Sequence, residues 1–144
     1  DVQPFAYYTG GIVTIANTAS ATLTITSEVQ DDYGIASLSA NRITIAKKGF
    51  YSVGISFGHY SNGADYNGKL QVATNFSGGF HGYSLEGWVT AWAINAIDPA
   101  TISIPLYKVT ADATSYIEIT AVNNTGASID AYINDVTIYK VGNV

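Results

Sequence analysis

Along most of the chain, apolar and polar residues alternate with a period of two. The longest run begins after Gly49: Tyr51, Val53, Ile55 and Phe57 share one face, while Phe50, Ser52, Gly54, Ser56 and Gly58 share the other. The first face is large and apolar, as a sheet buried in a sandwich requires. The second is small after Phe50, and glycine within a strand marks a close approach by another sheet, another chain or a ligand. A shorter run, Arg42–Ala46, stops at Lys47-Lys48-Gly49 just before it.

The same period, punctuated by turn clusters, predicts about ten strands. Phe5–Tyr8 ends at Gly10-Gly11, and Ile12–Ala16 and Ala21–Thr26 follow. Asp31-Asp32-Tyr33-Gly34 turns into Ile35–Leu38, then Arg42–Ala46 and a central strand, Phe50–Ser61. A polar excursion, Asn62–Gly68, precedes Lys69–Asn75, and a glycine-rich connection, Ser77–Tyr83, leads to Gly87–Asn95. Thr101–Val109, Tyr116–Val122 and Ala131–Val141 complete the series, the last two joined by a polar turn at Asn123–Ser128. β-Branched and aromatic residues are abundant and helix formers scarce. The expectation is an all-β sandwich or barrel in one domain spanning residues 1–144, without internal repeats.

Composition narrows the partners. Charged residues are only 12% of the chain and the net charge is −5, with six Lys and Arg in all. Six cations supply no basic stripe for nucleic acid or an anionic membrane. A surface so poor in charge suits a subunit that buries much of itself in an oligomer. No apolar run is long enough to span a membrane as a helix, and no signal-peptide pattern is present. The absence of cysteine removes disulfides, thiol catalysis and Cys-type zinc sites. The chain begins at Asp1 and has no Met, so it is expected to be a processed chain or a fragment with a partner region N-terminal to it. Two sequons occur, Asn75-Phe76-Ser77 and Asn123-Asn124-Thr125.

The segment N-R-I-T-I-A-K-K-G-F-Y-S-V-G-I-S-F resembles a signature of the C1q/TNF-like jelly rolls, in which a Gly-x-Tyr opens the central strand of the inner sheet; here it is Gly49-Phe50-Tyr51. Ser115–Val141 resembles that superfamily's last hairpin. The resemblance implies a homotrimer whose inner sheets face a threefold axis. Phe50, Ser52, Gly54 and Ser56 would then line the trimer interface, and Tyr51, Val53, Ile55 and Phe57 the core. It specifies a fold better than a function, since the superfamily spans cytokines, complement modules, spore-coat heads and phage receptor-binding heads.

Few residues suggest catalysis. Gly82-Tyr83-Ser84-Leu85-Glu86-Gly87 is one residue too long for a nucleophile elbow and lacks its strand–turn–helix setting. Glu28, Glu86 and Glu118 are the only glutamates, and most aspartates fall in turns, where backbone chemistry favours them. No enzyme and no cofactor are expected. Calcium is the one cation that loop oxygens at Asp31-Asp32 and Asn62–Asn67 could take. The constellation best suited to binding is polar and aromatic: His59, Tyr60, Asn62, Asp65, Tyr66 and Asn67 before one strand, and Phe80, His81 and Tyr83 before the next, with Trp88 and Trp92 beyond. Aromatic rings under a sugar, with Asp, Asn and His around its hydroxyls, are the parts of a saccharide site. A Trp pair four apart on a strand equally suits a core or an interface. The leading expectation is a trimeric receptor-binding head of a phage fibre at the virion surface, recognising host saccharide. The alternative is a structural trimerising cap on a bacterial spore-surface or C1q-like stalk.

Overall fold

The computed structural model describes residues 3–60, 68–76, 79–87 and 100–144. Twelve strands are present in these residues: β1 (Phe5–Gly10), β2 (Ile12–Ile15), β3 (Ser20–Thr22), β4 (Ile25–Gln30), β5 (Ala36–Ser39), β6 (Arg42–Ile45), β7 (Gly49–Tyr60), β8 (Gly68–Phe76), β9 (Gly79–Gly87), β10 (Ala100–Val109), β11 (Tyr116–Asn124) and β12 (Ile129–Gly142). They form two antiparallel sheets. The first runs β10-β7-β12-β1-β4, with β2 also on β12; the second runs β5-β6-β11-β8-β9, with β3 also on β11. This is a jelly roll, and all four alternation-based residues of the central strand, Tyr51, Val53, Ile55 and Phe57, are buried between the sheets.

Opposite them, Ile117, Ile119 and Ala121 of β11 and Ile43 and Ile45 of β6 present the other half of the core. The alternation that predicted these strands is the alternation that fills the interior. Two strand expectations need correcting. Ala21–Thr26 is not one strand: Ala21 and Thr22 pair with β11 in the second sheet, whereas the chain from Ile25 pairs with β1 in the first. The chain crosses between sheets at Leu23, whose N–H donates to Ile119 O at 2.7 Å and whose side chain is fully buried. Period-two alternation persists through such a corner, so the pattern alone does not reveal it.

The second correction concerns Ser77–Tyr83, expected as a connection. Gly79–Gly87 is a full strand, paired with β8 from Phe76↔Gly79 to Gly68↔Gly87. Its glycines lower strand propensity, but a nine-residue ladder beside β8 outweighs that preference. Of the expected strand Gly87–Asn95, only Gly87 falls among the described residues, as the end of β9.

Two local devices hold the ends of the sandwich. At Asp31-Asp32, both Asp31 oxygens accept backbone N–H groups, from Ile35 at 2.9 Å and Ala36 at 3.1 Å, and Asp32 accepts from Gln30 Nε2 at 2.8 Å. The pair organises a turn, the ordinary use of Asp in such a place. At the last hairpin, Asn123 is fully buried and its amide Nδ2 donates to Ile15 O and Ala127 O, each at 2.8 Å. Its sequon therefore has no accessible acceptor nitrogen in the folded protein.

The β5–β6 hairpin turns through Ala40 and Asn41, at φ 50° and 63°. Positive φ at both central residues is a type I′ turn, which favours Asn and Gly and strains Ala. Replacing Ala40 by Asn should raise stability by about 0.5–1 kcal/mol, read as a higher urea midpoint with an unchanged slope; an unchanged midpoint would show that the turn carries no strain.

Candidate functional site

The outward face of the first sheet is the best-defined surface. Register places its residues in rows across the strands. Ser103, Gly54, Thr137 and Tyr7 form one row, and Thr101, Ser56, Asp135 and Thr9 the row beside it. On the other side lie Ser52, Tyr139 and Phe5, then Lys108, Phe50 and Gly142. The middle of the face is thus small and hydroxylated, while one end is aromatic, with the Phe5 and Tyr139 rings 5.8 Å apart and tilted by 37°. Lys108 Nζ stands 5.9 Å from the Phe50 ring.

The four residues expected at an interface, Phe50, Ser52, Gly54 and Ser56, are half-buried and lie on this face. Gly54 is its most telling position. A Cβ built there would meet no atom within 4 Å. Among the described residues nothing requires the missing side chain. Four residues along, Tyr132 lies over Gly58, so that glycine has an internal reason.

Asp135, with Asp130, is one of two half-buried carboxylates that β12 places on this face. It accepts from Tyr7 Oη at 3.4 Å and Asn134 Nδ2 at 3.2 Å. Its charge pushes the Tyr7 phenol above the ordinary tyrosine value, with desolvation and the hydrogen bond adding in the same direction. Thr14 Oγ1 donates to Asp130 at 2.6 Å further along.

The outward face of the second sheet is polar too. Arg42 stacks on Tyr116, its guanidinium carbon 3.8 Å from the ring centre, and pairs with Glu118 at 3.2 Å. Glu118 is therefore on the strand face opposite Ile117 and Ile119, as alternation predicts, and engaged by Arg42. Among the described residues no group of three or more His, Cys, Asp or Glu side chains could hold a metal ion.

The saccharide constellation is only partly within view. His59 and Tyr60 are the last residues of β7, inside the expected strand Phe50–Ser61, and Tyr60 pairs with Asp130. His59 is only 2% exposed, on the same side of β7 as Phe57, so its ring lies in the sandwich interior. His81 and Tyr83, expected in a loop, are strand residues of β9, in register with Thr74 and Val72. Phe80 lies in the same strand. Asn62, Asp65, Tyr66, Asn67, Trp88 and Trp92 lie outside the described residues.

Sequence reasoning missed Phe5, Tyr7, Asp135, Thr137 and Tyr139. The period-two pattern of β12 could have shown which of its residues share a face, but not that β12 lies between β7 and β1.

No family model matches the chain, and no curated protein matches it by sequence. Solved structures do. The PRD1 vertex protein P5 is similar over 99% of this chain and 99% of its own, with a TM-score of 0.64 at 18% identity. The Eiger TNF of S. frugiperda is similar over 100% and 96%, with a TM-score of 0.67 at 10% identity. Murine APRIL is similar over 92% and 99%, with a TM-score of 0.55 at 6% identity. The fold is the C1q/TNF-like jelly roll.

Proposed function

We propose that this chain is a trimeric head domain of a phage surface structure, a fibre or vertex projection, and that the head attaches to host cell-surface saccharide. The observation that carries the trimer is the outward face of the first sheet. It combines a small, hydroxylated centre, an aromatic end and a glycine whose empty side is open in the isolated chain. A ring of identical subunits joins two different patches of each copy. Both edges of the same sheet offer apolar anchors for this. Leu106 on β10 is 61% exposed and Val29 on β4 is 57% exposed, each at a break in strand register that turns a residue out of the ladder.

The full-length likeness to a vertex protein supports placement on a virion surface. A threefold head would also multiply a weak sugar site by avidity. Saccharide recognition rests on the residue types between His59 and Trp92, with Asn62, Asp65, Tyr66, Trp88 and Trp92 as the proposed contacts.

Sedimentation tests the assembly first. The protein should have three times its 15.2 kDa chain mass at micromolar concentration; a single-chain mass would sink the reading. Gly54→Phe should convert the trimer to folded monomer, because the ring finds room in one chain but not beneath a neighbour. A Gly54→Phe protein that remains trimeric would move the interface elsewhere. Binding to a panel of bacterial cells and cell-wall polysaccharides tests the ligand. Trp88→Ala and Tyr66→Ala should each weaken binding with the trimer intact. A confirmed trimer that binds no surface would make the chain a structural cap.

A further inference from the structure

Six cations are too few for a basic stripe, yet three of them meet at one corner of the sandwich. Lys47, Lys48 and Lys140 line a single open groove with Asn143, Asp112 and Val144. A second groove, lined by Pro4 and Lys140–Asn143, adjoins it. Among the described residues the only ion pair is Arg42–Glu118, so no carboxylate lies within ion-pair distance of these three ammonium groups. In a chain of net charge −5, this groove gathers three lysines against one side-chain carboxylate, Asp112, so its side chains carry a local excess of positive charge.

The corner is also held in place. Tyr51 Oη donates to Lys47 O at 2.6 Å, and Asp112 Oδ1 accepts from Lys48 N at 2.7 Å. Lys140 N donates to Pro4 O at 2.9 Å. Gly49, at φ 154°, provides the notch for Lys140: a Cβ there would sit 2.8 Å from Lys140 Cε and 2.7 Å from Gly142 O. The lysine stem thus crosses the glycine, in the groove that Lys47 and Lys48 also line.

Asp112 and Asp31 keep their negative charge but are held by backbone N–H groups, Asp112 by Lys48 and Asp31 by Ile35 and Ala36, rather than by a lysine ammonium.

We infer that this corner is an oxyanion site for a phosphate or sulfate group. Lysines act as point charges and suit a tetrahedral anion approached from several sides, whereas a planar carboxylate is better matched by the arginine fork. Asn143 adds an amide that can donate. The site is open, so its affinity falls with salt. It lies within one chain and stands independently of the trimer and of the saccharide contacts proposed above.

The test compares inorganic phosphate and sulfate with sodium chloride at equal ionic strength. Phosphate should raise Tm saturably, by about 3–6 °C at ten times its dissociation constant. Amide NMR shifts should be confined to residues 47–49, 112–113 and 140–143. Lys140→Gln and Lys48→Gln should each abolish the response while leaving Tm in chloride unchanged; Arg42→Gln should retain it. An equal response to chloride, or an undiminished response in both lysine variants, would overturn the site. A glycerol-phosphate polymer distinguishes the source of the anion: polymer binding lost in Lys140→Gln assigns a phosphorylated polysaccharide, and a response to the inorganic ion alone assigns the free anion.

Discussion

Asn123→Ala should cost about 3–5 kcal/mol, the largest loss expected from any single polar substitution in the chain. The side chain uses its whole hydrogen-bonding capacity. Its two amide hydrogens serve Ile15 O and Ala127 O, and its Oδ1 accepts from Thr125 N at 3.0 Å and Thr125 Oγ1 at 2.6 Å. The backbone around it is tied as well, with Thr18 N donating to Asn123 O at 2.7 Å and Asn123 N donating to Ala19 O at 2.9 Å. Alanine would remove the amide from Ile15 O and the acceptor from Thr125 N, both at buried bonds, while Ala127 O would keep only the Thr125 hydroxyl at 3.0 Å. Domains of this kind are stable by only about 5–15 kcal/mol, so much of the reserve would go. Urea unfolding of the variant measures the loss. Asn123→Asp should be nearly as damaging at neutral pH, because a carboxylate oxygen would face the two carbonyls. Acid should partly restore it by supplying one donor. A loss under 1 kcal/mol in Asn123→Ala would show that water replaces the amide.

Alkaline solution should unfold the protein for an identifiable reason. Tyr51 is fully buried and its phenol is pushed up to about 12, first by burial and then by the Asp112 and Asp31 carboxylates. Tyr8 is also fully buried and raised further, by burial and then by Glu28, to which its hydroxyl donates at 2.9 Å. A raised folded-state value means that folding favours the neutral phenol. The stabilisation is complete below the unfolded value of 10.0 and is lost as pH rises through about 12 for Tyr51. Two pH units correspond to on the order of 3 kcal/mol from that residue alone. Urea midpoints should therefore hold to about pH 10 and then fall steeply, with tyrosinate absorbance appearing together with unfolding. Tyr51→Phe should flatten part of that fall, after a constant loss of about 1 kcal/mol for the bond to Lys47 O. Tyrosinate absorbance that appears without unfolding would refute this account.

Tyr51 also shows where the sequence is legible. Tyr51 was assigned to the core because it alternates with Val53, Ile55 and Phe57, and a strict period of two leaves no other face for it. Phe50, Ser52, Gly54 and Ser56 were assigned to the opposite face by the same rule. Pairing between distant strands obeys no such local rule. Hence Asp135 and Tyr7 were not associated, although they touch, and Leu23 was not seen to cross between sheets. The strand at Gly79–Gly87 was hidden for a related reason: its glycines describe a loop locally, and only the neighbouring β8 makes them a ladder. The lysine corner was legible as Lys47-Lys48-Gly49 but not as a triad, since Lys140 arrives from the far end of the chain. Of the saccharide residues, the sequence supplied types rather than positions.

The placement of β12 has a consequence for how the head is made. It is the middle strand of its sheet, flanked by β7 on one side and by β1 and β2 on the other, and its Asp135 meets Tyr7 from 128 residues away. Synthesis proceeds from the other end, so β1, β2 and β7 leave the ribosome with their shared partner not yet translated. Until β12 emerges, that sheet is three separate pieces with open edges: β10 with β7, β1 with β4, and β2 by itself. That sheet cannot close until β12 has been translated, and nascent heads on neighbouring ribosomes expose matching edges to one another while they wait. Among the described strands, the last to be made is the one that joins the sheet.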